Sequence, residues 1–177
     1  MTLTIRTYPD PVLTAPATKV REFTEELRRL ADAMISLMRQ ADGMGLAAPQ
    51  VGQSIRLIVL EHTPGATEDQ ADTVPLQVLV NPKIISSSRD TDLMEEGCLS
   101  LPGIEVPIKR PTKVKVRAQD LDGNIVQFRA SGLHARIVQH EIDHLDGRLI
   151  WDHSADRDAH IAAYAKRHGG PAGPVTL

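Results

Sequence analysis

Ser131-Gly132-Leu133-His134-Ala135-Arg136-Ile137-Val138-Gln139-His140-Glu141-Ile142-Asp143-His144-Leu145 is the stretch on which the fold turns. Its spacing predicts a helix, because Leu133, Ile137, His140, Glu141 and His144 recur every three or four residues and share one face. That face starts apolar and then carries two imidazoles and a carboxylate where more apolar side chains are expected. Burying an unpaired charge is costly, so the stripe must face a metal, another ion or a cleft. His140 to His144 reads H-E-x-x-H, in which the i, i+4 histidines can hold one metal and the glutamate can reach a water on it. On a surface helix the same letters are mostly accident. Here the position on the stripe that should be buried favours the chemical reading.

Outward from this helix, Lys113 to Gln119 alternates Val114, Val116 and Ala118 with polar residues. Asp122-Gly123 follows, then Val126, Phe128 and Ala130 alternate again, which predicts a hairpin with one buried face. Arg56 to Glu61 and Leu76 to Val80 read as short strands, separated by an exposed loop from His62 to Val74. From Thr24 to Gln40 the apolar positions Leu27, Leu30, Ala31, Met34, Leu37 and Met38 mark an amphipathic helix, which Asp42-Gly43 should end. Pro9, Pro11 and Pro16 keep the opening segment extended, and Ala155 to Lys166 is a last helix. The class expected is α+β, with small mixed or antiparallel sheets around a central helix that carries H-E-x-x-H. One catalytic domain over residues 1–168 and a flexible tail over 169–177 complete the organisation.

The chain has 177 residues, a formal charge of -3 and only 3% aromatics. Nucleic-acid recognition is therefore not expected as its main business. The single cysteine rules out an intrachain disulfide framework. Neither an apolar leader segment nor a stretch able to span a bilayer is present in the sequence. A cytoplasmic protein without membrane association is the expectation.

The third metal ligand has to come from elsewhere. Thermolysin-like peptidases use a downstream glutamate, but no glutamate follows Glu141. Metzincins need a third histidine where this chain has Ile150. His153, Asp156 and His160 remain candidates, though each reads as polar decoration on an exposed terminal helix. Upstream, Glu95-Glu96-Gly97-Cys98-Leu99-Ser100-Leu101-Pro102-Gly103 places the cysteine on a constrained turn. A cysteine between such neighbours is most often a small core residue. Gly43-Met44-Gly45-Leu46-Ala47-Ala48-Pro49-Gln50-Val51-Gly52 is a loop of small residues, and alone it would signify only a tight packing turn.

Together the three segments resemble the three motifs of the peptide deformylase family: G-x-G-x-A-A-x-Q at Gly43 to Gln50, E-G-C-x-S at Glu96 to Ser100, and H-E-x-x-H at His140 to His144. The likeness extends over roughly Ile5 to Asp152, through Pro9-Asp10-Pro11, Asn81-Pro82 and Arg110-Pro111. The resemblance implies Cys98, His140 and His144 as metal ligands and Glu141 as general base and acid. It implies Gln50 and the Leu99 N–H as the pair facing a developing oxyanion. Gly43, Met44, Gly45 and Gly97 would line an extended substrate, with Leu133 and Ile137 walling an apolar pocket. The implied ion is Fe2+, with Zn2+, Ni2+ or Co2+ accepted, and the implied substrates are formylated nascent peptides met in transient contact with the ribosome. Where some relatives carry an arginine near the cleft mouth, this chain has Glu105. His134, before the ligands on the same helix, reads as a supporting or packing residue. Two rivals stand beside this reading: an endopeptidase, which lacks its usual third ligand, and a metal-binding module without catalysis, which would need neither Glu141 nor Gln50.

Overall fold

The computed structural model describes residues 2–65 and 72–168. Its elements run α1 (Glu25–Gln40), β1 (Gly45–Ala47), β2 (Leu57–His62), β3 (Val74–Ser87), β4 (Thr91–Gly97), β5 (Glu105–Pro111), β6 (Lys113–Gln119), β7 (Ile125–Ser131), α2 (Gly132–Leu145) and α3 (Arg157–His168). Antiparallel pairing joins five strands in the order β1-β2-β3-β6-β7, and β4 with β5 forms a separate two-stranded sheet. The α+β class expected from periodicity is the class observed.

Strand β2 sits where both faces are covered, and its residues Leu57 to Leu60 are all buried. Ile58 and Leu60 face the core formed with Ile137, Val138, Ile142 and Leu145 of α2. Leu57 and Val59 point the other way, onto Leu27, Leu30, Met34 and Met38 of α1. Burying a side chain of this size contributes about 1.5–3 kcal/mol, so α2 is pinned as a central layer. A third apolar cluster holds the hairpin: Val106 and Ile108 of β5 pack with Leu13, Leu101, Trp151 and Tyr164. This cluster fixes the Cys98 turn against the rest of the molecule.

Helix α1 starts where the sequence suggests, with the Thr24 hydroxyl accepting from the Leu27 N–H at 3.3 Å. Its end differs in detail. Asp42, not Gly43, takes the positive φ of 50°, a conformation aspartate tolerates. Gly43 is needed for room instead, since a Cβ there would lie 2.9 Å from Cδ1 of Leu99. The opening segment is not wholly extended: Pro11–Leu13 forms a 3-10 turn capped by Asp10.

Strand β3 is longer than the expected Leu76 to Val80, because the chain continues through Asn81-Pro82 by way of an irregularity between Val80 and Lys83. Asn81 has φ 52° there, and its side chain bonds Val20 and Gln119. A bulge thus accommodates the proline that reads as a strand end. The β4–β5 hairpin was not anticipated from the spacing. The last helix begins at Arg157 instead of Ala155 and reaches His168. The tail expected over 169–177 lies outside the described residues. Among the described residues no helix is long and apolar enough to cross a membrane.

Candidate active site

Helix α2 brings His140 and Glu141 into the lining of a 410 Å³ cleft, shared with Gly43, Met44, Gly45, Gln50, Gly97, Cys98 and Leu99, and sets His144 one turn further along the helix. Three expected ligands converge: one donor atom from each of Cys98, His140 and His144 lies within 4.8 Å of the others. The Cys98 Sγ is 3.3 Å from Nε2 of His144. Tetrahedral ligands about 2.0–2.3 Å from an ion stand roughly 3.3–3.8 Å apart, and the Cys98–His144 separation falls at the short end of that range. His140 turns its Nδ1 to Glu96 at 2.9 Å, which leaves Nε2 for the centre.

The electrostatics agree with a site built for a cation. Burial pushes the Cys98 thiol up, but the charges and hydrogen bonds of His144 and His140 pull it down to about 5. Burial likewise opposes protonation of His140, and its bonds to Cys98 and Glu96 outweigh that, raising its pKa well above the ordinary value. The lowered thiol favours the thiolate, the form in which a cysteine ligates a divalent ion.

Glu141 is only 4% exposed. Its Oε2 is buried with no hydrogen-bond partner among the described residues, a costly state for a carboxylate unless something polar enters the cleft. Burial raises its pKa, with His140 and His144 opposing. Gly45 makes room for it: a Cβ at that position would lie 2.8 Å from Cγ and Cδ of Glu141 and closer still to Oε1. The glycine of β1 is thus required by the carboxylate of α2.

Gln50 is buried beside the centre. Its Oε1 accepts from the Ala47 N–H at 2.8 Å, and its Nε2 stands 3.2 Å from the Ser100 hydroxyl and 3.8 Å from the Cys98 sulfur. The amide oxygen is a loop tie, and the amide nitrogen faces the site. Leu99 lines the cleft and packs toward α1. Met44 is 41% exposed at the mouth, as befits a residue at an open rim. Leu133 and Ile137 line the same cleft from α2. Glu105 pairs with Gly97 at the end of the hairpin and is exposed. His134 hydrogen-bonds Gln77 at 2.9 Å and stacks on Phe128, so it packs the sheet.

A buried ionic network behind the cleft was missing from the reading of the spacing. Arg110 forks onto Glu96 at 2.6 and 2.9 Å and reaches Asp143 at 2.8 Å. Arg136 bonds Glu96 at 2.7 Å, and Asp143 accepts from His153 at 2.7 Å. Burial opposes ionisation of Glu96, yet His140 and Arg110 outweigh it and hold the carboxyl far below the usual range. The pairing explains why two arginines lie within the core. It also corrects the reading of His153: half-buried and engaged with Asp143, it is not decoration on an exposed helix. His160 is half-buried against Ser154 as well, and neither joins the Cys98 cluster. One signal was available in the sequence, since Arg136 interrupts the run Ala135, Ile137, Val138 on a helix that must be buried.

The sequence model of the Polypeptide deformylase family matches residues 2–160. A peptide deformylase of Dictyoglomus thermophilum is 49% identical over 152 residues, covering 86% of this chain and 92% of that protein. The crystal structure of peptide deformylase from Ehrlichia chaffeensis is 35% identical with a TM-score of 0.85, covering 95% of this chain and 97% of its own. A Met-Ala-Ser-bound class I type b peptide deformylase from Acinetobacter baumannii is 36% identical with a TM-score of 0.80, covering 86% of this chain and 98% of its own. With the match spanning nearly the whole length and the cleft, the chain belongs to the polypeptide deformylase family.

Proposed function

We infer that Cys98, His140 and His144 hold the catalytic ion of this hydrolase and that Glu141 moves the proton as the N-formyl group is removed from nascent polypeptides. The observation that carries the assignment is the unpartnered Glu141 Oε2, buried beside three converging N and S donors. When bound, a divalent ion there supplies Lewis acidity toward water and toward a carbonyl oxygen. Glu141 takes one proton from the attacking water, whose oxygen adds to the formyl carbon. It then returns that proton to the nitrogen as the C–N bond breaks, leaving formate and a free amine. The raised proton affinity of Glu141 suits both halves of this task.

The Gln50 amide nitrogen and the Leu99 N–H are assigned to the developing oxyanion, a contact typically worth about 2.7–4 kcal/mol. The peptide is assigned to the rim formed by Gly43, Met44, Gly45 and Gly97, in strand-like pairing, with the methionine side chain against Leu133 and Ile137. The peptide Met-Ala-Ser in the Acinetobacter relative supports that class of ligand. Fe2+ is our choice of ion, with Zn2+, Ni2+ and Co2+ as substitutes, since one thiolate and two imidazoles suit borderline-soft ions. Formylated nascent chains, met in the cytoplasm in transient contact with the ribosome, are its partners. The test is formate release from formyl-Met-Ala-Ser by protein loaded anaerobically with Fe2+. Turnover is expected, and its absence from a fully metallated protein would overturn the assignment.

A further inference from the structure

We propose that the outer face of β3, β6 and β7, together with the groove beside it, binds the phosphodiester backbone of single-stranded RNA without regard to sequence. The proposal does not rest on the deformylase reading. Two observations carry it.

The first is the cross-strand register. Lys83 of β3 lies directly opposite Arg117 of β6, and Lys115 of β6 lies directly opposite Arg129 of β7. Like charges in that relation destabilise a sheet. Alternation puts Lys113 on the same face, where the other cross-strand partners are the neutral Ser86, Gln127 and Ser131. Among the described residues none of these five cations has a carboxylate within 4.0 Å, whereas Arg28, Arg39, Arg56, Arg110, Arg136 and Arg157 all do. The fold thus tolerates uncompensated repulsion at one place. An anionic partner would relieve it.

The second is the shape next to that face. A cavity of 1070 Å³ there is separate from the cleft of Glu141. Lys83 and Arg117 line it, with Lys19, Lys109 and Arg148 around them. Its two carboxylates, Asp143 and Asp146, are already engaged by Arg110 and Arg56. A cationic track that runs from an open sheet into a groove suits a flexible chain of phosphates, whereas a bilayer surface cannot follow it. No aromatic side chain stands among the five cations to stack a base, so recognition would be purely ionic. The five span three strands, about 10 Å across. Strand β7 is the sheet edge farthest from β1, so RNA here would leave the cleft open.

The experiment is anisotropy titration of a labelled 20-nucleotide RNA of mixed sequence with the full-length, metal-loaded protein. Wild type should bind, with affinity falling against salt at a log–log slope of about −3 for four or five phosphate contacts. Lys115→Glu and Lys83→Glu each turn a repulsive pair into an attractive one. Each should weaken RNA binding about tenfold or more, hold or raise the melting temperature and leave formate release from a short formyl peptide unchanged. Lys115→Gln, which reverses no charge, should flatten the salt slope by somewhat less than one. No RNA binding at about 50 mM salt, binding that survives both reversals, or tighter capture of phosphatidylglycerol vesicles than of RNA would each overturn the proposal.

Discussion

A group that must take a proton from water and pass it to an amine needs a higher proton affinity than an exposed glutamate has, and burial supplies it for Glu141. The same burial costs stability. A carboxyl whose folded pKa lies above its unfolded value contributes most at low pH and weakens the fold once both states are ionised. Glu141→Gln should therefore keep its metal, lose roughly 10²–10⁴-fold in kcat and melt higher than wild type at neutral pH in the metal-free form. Near-normal turnover with a full complement of metal would remove Glu141 from the proton path. Gln50 has two duties on one amide. Gln50→Leu strands the buried Ala47 N–H, at a cost of about 1–3 kcal/mol, and also removes the nitrogen that faces the cleft. It should lower the melting temperature and kcat together. A stable variant with wild-type kcat would show that neither duty matters.

The helix with its two histidines, α1 and the β6–β7 hairpin were legible because one buried face gives each a regular period. The β4–β5 hairpin was not, for a physical reason. Its inward side chains include Glu96 and Arg110, so the alternation looks polar on both faces. Only the partner across space shows that these charges cancel. Cys98 was hidden in the same way, since it lies 46 residues before His144 and meets it only because the hairpin packs near α2; likeness to a family pointed to it, and spacing did not. Arg110 is the joint of this arrangement, bridging β4 and α2. Arg110→Met would leave Glu96 and Asp143 short of their countercharge, a loss of about 3–5 kcal/mol. At roughly 2–4 °C per kcal/mol for a chain of this size, the melting temperature should fall by about 10 °C. Metal affinity should drop about 10–100-fold as His140 loses its fixed orientation. Chelator competition measures that drop, and an unchanged affinity would show that Glu96 orients His140 without Arg110.

Across the whole molecule, charge is sorted in a way the net value of -3 conceals. Acids outnumber bases overall, yet five cations share one face across β3, β6 and β7, and the interior holds a balanced pair of arginines and carboxylates. The interior set makes stability depend on acid. Asp143 is lowered because His153 and Arg110 outweigh the effect of burial, and Glu96 is lowered as described above. For such groups stability is present above the unfolded values, 4.5 and 3.8, and is lost as pH falls through the folded ones. The melting temperature of the metal-free protein should hold down to about pH 5 and then drop steeply. Glu96→Gln should start lower and fall less over the same range. A parallel fall in both proteins would assign the acid sensitivity to other carboxylates.

The Cys98–His144 approach has a mechanical side. An ion held there would act as a removable staple, closing a 46-residue loop between the hairpin and the central helix. A covalent bridge over that span would restrict the unfolded chain by about 4 kcal/mol. Stripping the ion with a chelator should therefore quicken amide exchange in β4 and β5 far more than in β6 and β7, whose pairing does not involve the site. Equal protection loss in both hairpins would mean that the staple bears no strain. If the staple holds, oxidation of one sulfur would do more than stop turnover. It would unfasten a side of the protein and expose that hairpin to proteases.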